Sequence, residues 1–180
     1  VHMAFFMRSC EYLQVEFGSR KTAPVCLGSF TFVKDGCILP LDSPEIPFAD
    51  SVAILFLRQK NQCKGQIITQ HKTDDPVFSP VKVCARIVQR MLREGWDHST
   101  PVYKYRNAAG KPAKVSSTAA LMYLRDFVQY HPGAGLVPER VGTHSIRTSS
   151  AMAMVLNNID PLRVMMIGRW RSTAFINYIR

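Results

Sequence analysis

Residues 51–71 read SVAILFLRQKNQCKGQIITQH, and the fold class turns on this stretch. Ser51–Lys60 is dense in apolar and branched side chains, Asn61-Gln62-Cys63-Lys64-Gly65 carries turn residues, and Gln66–His71 returns rich in β-branched positions. A β-hairpin is therefore expected here. A second hairpin is expected just upstream, where Leu27–Val33 and Cys37–Leu41 flank the Asp-Gly turn Lys34-Asp35-Gly36. Outward from this small sheet the period changes to that of helices. Met3–Phe17 sets Phe6, Cys10, Leu13 and Phe17 at helical spacing, with Arg8 inside the helix and Gly18 ending it. Val81, Ala85, Val88 and Leu92 define a helix that stops before Gly95, and Gly95–Lys114 reads as a long loop. Ser116-Ser117-Thr118 can cap a helix Ala119–Tyr130, and three short helices, His144–Asn157, Asp160–Arg169 and Ser172–Ile179, close the chain. The order predicts an α+β fold, mainly helical, with a small antiparallel sheet of two hairpins near the N-terminal third.

At 180 residues the chain suits one domain, 1–180. With 47% hydrophobic and 20% charged residues it can offset its ordering entropy, which excludes global disorder. No apolar run approaches the roughly 20 residues of a membrane span, and the first residues lack the basic start of a signal peptide. Twenty-three Lys and Arg against 13 Asp and Glu leave a net charge of +10. Such an excess points first to nucleic acid as a polyanionic partner, then to a merely basic soluble domain, and last to an acidic membrane surface. The five cysteines are odd in number and never spaced C-x-x-C, so neither a disulfide framework nor a zinc ribbon is expected, and a reducing compartment is.

The chemistry is narrowed by what is missing. No phosphate-cradling glycine loop, no H-E-x-x-H and no G-x-S-x-G is present, and Asp74-Asp75 stands without a second carboxylate cluster, which disfavours a metal-dependent nuclease. What remains is a C-terminal group rich in phosphate-handling side chains: Gly142-Thr143-His144-Ser145-Ile146-Arg147, then Gly168-Arg169-Trp170-Arg171-Ser172, then Asn177-Tyr178-Ile179-Arg180. His144 and Arg147, three apart, share a helix face on which an imidazole and a guanidinium can converge on one phosphate. Each of these residues alone reads equally well as a helix cap, a surface arginine or a core aromatic.

Taken in order, Arg8, a hairpin lysine at 60, His144-x-x-Arg147, Gly168-Arg169-Trp170 and Tyr178 resemble the catalytic domain of the tyrosine recombinase (phage integrase) family, over nearly the whole chain. The stretches around Arg8 and Tyr178 look most like recombinases of eukaryotic DIRS-type and Crypton-type mobile elements. The resemblance implies a site-specific DNA recombinase that cleaves and rejoins DNA through a 3′-phosphotyrosyl intermediate, with no cofactor, no metal and no small-molecule substrate. It implies duplex DNA as partner, a homotetramer on that DNA, and a nuclear location for a eukaryotic element or a cytoplasmic one otherwise. The separate core-binding domain that usually precedes this domain, and the tail helix that usually follows it, are expected to lie outside residues 1–180. Trp170 and Tyr178 are eight apart, one fewer than in many bacterial members.

On this reading Arg8 and Arg147 hold the nonbridging oxygens, Trp170 adds an indole donor, His144 is the base, Tyr178 the nucleophile and Lys60 the general acid. Lys64 competes with Lys60 for the acid's role, and both can equally be lysines that only bind phosphate. Lys64, Lys72, Arg169 and Arg171 are expected to neutralise DNA phosphates. Glu11 is expected to orient His144 or Arg8 from behind, or else to be an ordinary carboxylate at a helix start. Two other functions use the same fold: a catalytically silent DNA-binding module and a topoisomerase-like enzyme that relaxes a single strand.

Overall fold

The computed structural model describes residues 2–15, 22–59, 64–75, 78–170, 172 and 176. In chain order the elements are α1 His2–Phe5, α2 Ser9–Tyr12, β1 Phe30–Lys34, β2 Cys37–Leu39, β3 Ser51–Arg58, β4 Lys64–His71, α3 Pro80–Arg93, β5 Lys104–Arg106, β6 Pro112–Lys114, α4 Ser117–Tyr130, α5 Ser145–Leu156 and α6 Pro161–Gly168. The class is α+β, as the sequence pattern predicts. Within the single domain expected from the length, the chain packs as two compact units, Ser19–Lys114 and the pairing of His2–Gly18 with Val115–Arg180. No helix among the described residues is long and apolar enough to cross a membrane.

The first unit is built on the two expected hairpins. They merge into one antiparallel sheet of order β2-β1-β3-β4, with Phe32 opposite Val52 and Ile54 opposite Ile68. Strand alternation sends Phe30, Phe32, Val52, Ile54 and Phe56 to one buried face, and α3 packs against the sheet. That helix buries Val81, Cys84, Ala85, Val88 and Met91. Met91 is fully buried near the helix end, while Leu92, expected as the last core position, is only half-buried. The first hairpin starts later than its sequence suggests. Leu27–Ser29 forms a single 3₁₀ turn, since Leu27 and Gly28 donate their N–H groups to Thr100 and His98 rather than to a strand. The expected loop Gly95–Lys114 also needs correction, for it contains the two-stranded ribbon β5-β6. Three-residue strands reading Lys-Tyr-Arg and Pro-Ala-Lys carry no apolar run, so periodicity gives no warning of them.

In the second unit the N-terminal helix expected over Met3–Phe17 is broken. Phe6 adopts a left-handed φ of 47°, and Arg8 is extended at φ −80° and ψ 147° as the residue preceding α2. The break lets Phe5, Phe6 and Met7 all become buried, and it turns Glu11, expected among the polar positions, fully inward. Helix α4 is capped as expected, Ser116 Oγ accepting the N–H of Ala119 at 3.0 Å. Asp160 caps α6 by accepting from Leu162 and Arg163. Phe6, Ala151 and Val164 form the buried centre, with Met154, Val155, Ile159, Met165, Ile167 and Trp170 packed around it. The helix expected over Ser172–Ile179 falls largely outside the described residues.

Candidate functional site

The second unit pairs His2–Gly18 with Val115–Arg180, and Arg8, Glu11, His144, Arg147, Arg169 and Trp170 of the singled-out residues belong to it. Phe6 ends the short helix α1 with its carbonyl turned inward, which leaves a backbone acceptor inside the fold. Two arginines use it. Arg147, on the first turn of α5, donates one Nη to Phe6 O and the other to Gly168 O, and only 2% of the residue is exposed. Arg169 donates its Nη2 to Phe6 O at 3.0 Å and is also buried.

Glu11 is the acidic centre of this cluster. Its carboxylate accepts from Arg8 N at 2.7 Å, from Arg8 Nη1 at 3.2 Å, and from Arg169 Nη1 and Nη2 at 2.8 Å each. The pairing with Arg169 is the bidentate fork that suits guanidinium to carboxylate. Glu11 therefore holds Arg8, one of the two partners expected for it. Burial pulls the Arg169 guanidinium below its ordinary range, and the hydrogen bonds it donates to Glu11 work against that fall.

Arg169 is the clearest correction among the site residues. Expected on a DNA-facing surface, it is instead buried and committed to Glu11 and to the carbonyl of Phe6. It also occupies the left-handed position at the end of α6, φ 59° and ψ 39°, which glycine usually fills. That conformation costs a non-glycine residue about 1–2 kcal/mol, and Arg169 adopts it while its side chain is bound to Glu11.

Trp170 follows at once and lies over the Arg147 guanidinium, 4.3 Å from ring centroid to Cζ. Its ring meets Phe6 edge-on at 5.7 Å and 82°. A Cβ on Gly168 would overlap the indole, so this glycine is a condition of the stacking. The tryptophan thus faces Arg147 directly, and the cation–π contact adds to the hydrogen bonds that hold the guanidinium in place.

His144 precedes α5 and is exposed. Partial desolvation lowers its pKa from the ordinary 6.5, and the positive charges of Arg147 and Arg8 lower it further. Those two guanidiniums are therefore within electrostatic reach of the imidazole, and their charges add to desolvation in disfavouring its protonated form. Arg8 remains partly open to solvent, its side chain 19% exposed.

The structure thus gathers Arg8, Glu11, His144, Arg147, Arg169 and Trp170 in one unit. Lys64 and Lys72 belong to the other. Lys64 opens β4 opposite Arg58 and is exposed, while Lys72 pairs with Asp50 at 2.6 Å on the surface. Lys60, Arg171 and Tyr178 lie outside the described residues. What sequence reading missed is backbone: the carbonyls of Phe6 and Gly168 that receive the guanidiniums carry no signal in residue identity. A search for known relatives finds no matching family model and no matching curated protein.

Proposed function

We propose that the chain is the catalytic part of a DNA strand transferase of the tyrosine recombinase type, acting on duplex DNA as a homotetramer without metal or cofactor, and in the nucleus where the element is eukaryotic. The observation that carries this reading is the convergence of Arg8, His144, Arg147 and Trp170, drawn from both ends of the sequence, with the imidazole in electrostatic reach of both guanidiniums. A phosphodiester under attack gathers negative charge on its nonbridging oxygens, and planar guanidinium donors stabilise that charge. Tyr178 attacks phosphorus and its proton passes to His144; the 5′ oxygen leaves and takes a proton from Lys60. The 3′-phosphotyrosyl link conserves the bond until another 5′-hydroxyl displaces the tyrosine, which recovers a proton. The roles of Tyr178 and Lys60 come from the resemblance.

One observation favours the second reading, a DNA-binding module without catalysis: Arg147 spends its guanidinium on the carbonyls of Phe6 and Gly168. The two readings separate on a nicked suicide duplex resolved on a denaturing gel. A strand transferase leaves a covalent adduct that Tyr178→Phe abolishes while DNA affinity stays within a few-fold, and that Arg147→Lys reduces by orders of magnitude with little change in binding. An adduct that survives Tyr178→Phe refutes the nucleophile, and no adduct from the unaltered chain favours the silent module.

A further inference from the structure

The ribbon β5-β6 was not among the expected sites, yet it carries a run of cations, of which Arg106, Lys111 and Lys114 are exposed. Residues 101–114 contain Lys104, Arg106, Lys111 and Lys114 and no acidic residue. In the ribbon register Lys104 stands opposite Lys114 and Arg106 opposite Pro112. Directly opposed residues point to the same face, and so do residues two apart on a strand. Lys104, Lys114 and Arg106 therefore share one face, and Lys111 leads into the return strand. Like charges placed opposite each other weaken a ribbon unless an anion lies between them. Among the described residues no carboxylate lies within ion-pair distance of these four cations, and Asp97 is the acid that feels the charge of Lys104.

The ribbon is also held firmly in place. Glu94, at the end of α3, accepts from Trp96 Nε1 at 2.7 Å, Arg90 Nη1 at 3.0 Å and Arg106 N at 3.2 Å. Burial raises the pKa of this carboxyl, but the hydrogen bonds from Trp96 and Arg90 prevail and the net shift is downward. Arg90 reaches further, to the carbonyls of Lys104 and Val102, and Arg106 ties the strand to Glu94 O and Gly110 O. The Trp96 ring lies 5.6 Å from Lys104 Nζ and 4.9 Å from Arg106 Cζ. One acid and one indole thus anchor the base of the ribbon, so its backbone, Lys104 and Arg106 are ordered before any ligand arrives, which lowers the entropic cost of binding.

We propose that β5-β6 is a docking element for the phosphate backbone of duplex DNA, a reading that rests on the DNA function proposed above. Residues two apart on a strand have backbones about 6.6 Å apart, and long Lys and Arg side chains let their charges spread along the phosphates of a DNA strand. A two-stranded ribbon is also of a size that enters the major groove. The tip, Asn107-Ala108-Ala109-Gly110, carries no large apolar side chain, so it is unsuited to a lipid surface.

The test uses the full chain with Lys111→Gln and Lys114→Gln together, since both side chains are exposed and neither anchors the ribbon. Binding to a labelled mixed-sequence duplex of about 30 base pairs is measured from about 50 to 200 mM salt. Losing two phosphate contacts should flatten the slope of log affinity against log salt by about 1.8, so the variant loses about 12-fold less affinity across that interval than the unaltered chain. An unchanged near-ultraviolet signal in a Trp170→Phe background, where Trp96 is the remaining tryptophan, shows that the ribbon's anchor is intact. Steep binding by the unaltered chain with the same slope in the variant overturns the ribbon site and leaves the DNA reading standing. Failure of the unaltered chain to bind duplex DNA overturns both. A slope change confined to single-stranded RNA of equal length overturns the choice of polymer.

Discussion

Neutralising Glu11 is the most demanding test of the cluster that joins the two ends of the chain. Glu11→Gln keeps the shape of the side chain but removes the charge that faces Arg169, and both side chains of that pair have no exposed surface. At the observed 2.8 Å, Coulomb's law with an effective dielectric constant of 20 gives an attraction of about 6 kcal/mol, against which stands the cost of desolvating both ions. Breaking a buried pair from one side leaves the other charge uncompensated, so a loss of about 3–5 kcal/mol is expected. For a chain of this size that lowers Tm by about 6–20 °C. Thermal unfolding followed by circular dichroism reads the shift, and a double-mutant cycle identifies its source. Glu11→Met and Arg169→Met should each be costly, while the double variant loses well under their sum, because Arg8 is partly exposed and can turn to water. A Tm change under about 2 °C for Glu11→Gln, or strictly additive losses in the cycle, would refute the reasoning.

His144 should titrate below 6.5 by NMR, and Arg8→Gln should move its midpoint upward by removing one of the charges that depress it; a midpoint at or above 6.5 contradicts the placement. The sign for stability follows from the lowered folded value. The unfolded chain binds the proton first as pH falls below 6.5, so His144 costs no stability above that pH and progressively more as pH drops through its folded value. Gly168→Ala should destabilise the chain by about 1–2 kcal/mol in urea unfolding, since displacing the Trp170 indole outweighs the gain in helix propensity; a neutral or stabilising result would show that the ring moves at no cost.

Much of the architecture follows from local pattern. The alternation in residues 51–71 and the Asp-Gly turn at 35–36 specify two hairpins, and strand pairing depends on those near neighbours. The periodicity of residues 80–93 and the caps at Ser116 and Asp160 specify helices for the same reason. The positions worth watching, Arg8, Glu11, His144, Arg147 and Trp170, stand out because residue type carries chemistry whatever the fold. The ribbon β5-β6 escapes such reading. Its strands are short and charged, and what holds them is a set of side-chain bonds from Arg90, Glu94 and Trp96, which lie 8 to 24 positions away by number.

Which way the charged side chains turn is a different kind of question. The resemblance expects Arg147 to hold the nonbridging oxygens of a phosphate and Arg169 to neutralise DNA phosphates. Each is instead buried, because the left-handed bend at Phe6 presents a carbonyl more than 140 positions distant in the chain, and because Glu11 turns inward at the same bend. Arg8 shares the same carboxylate yet keeps part of its surface in water. Residue types and their order along the chain name the participants, since a guanidinium or an imidazole has its chemistry anywhere. Burial and the direction of a backbone carbonyl come from long-range packing, and they decide which arginine binds the fold together and which remains open to a ligand.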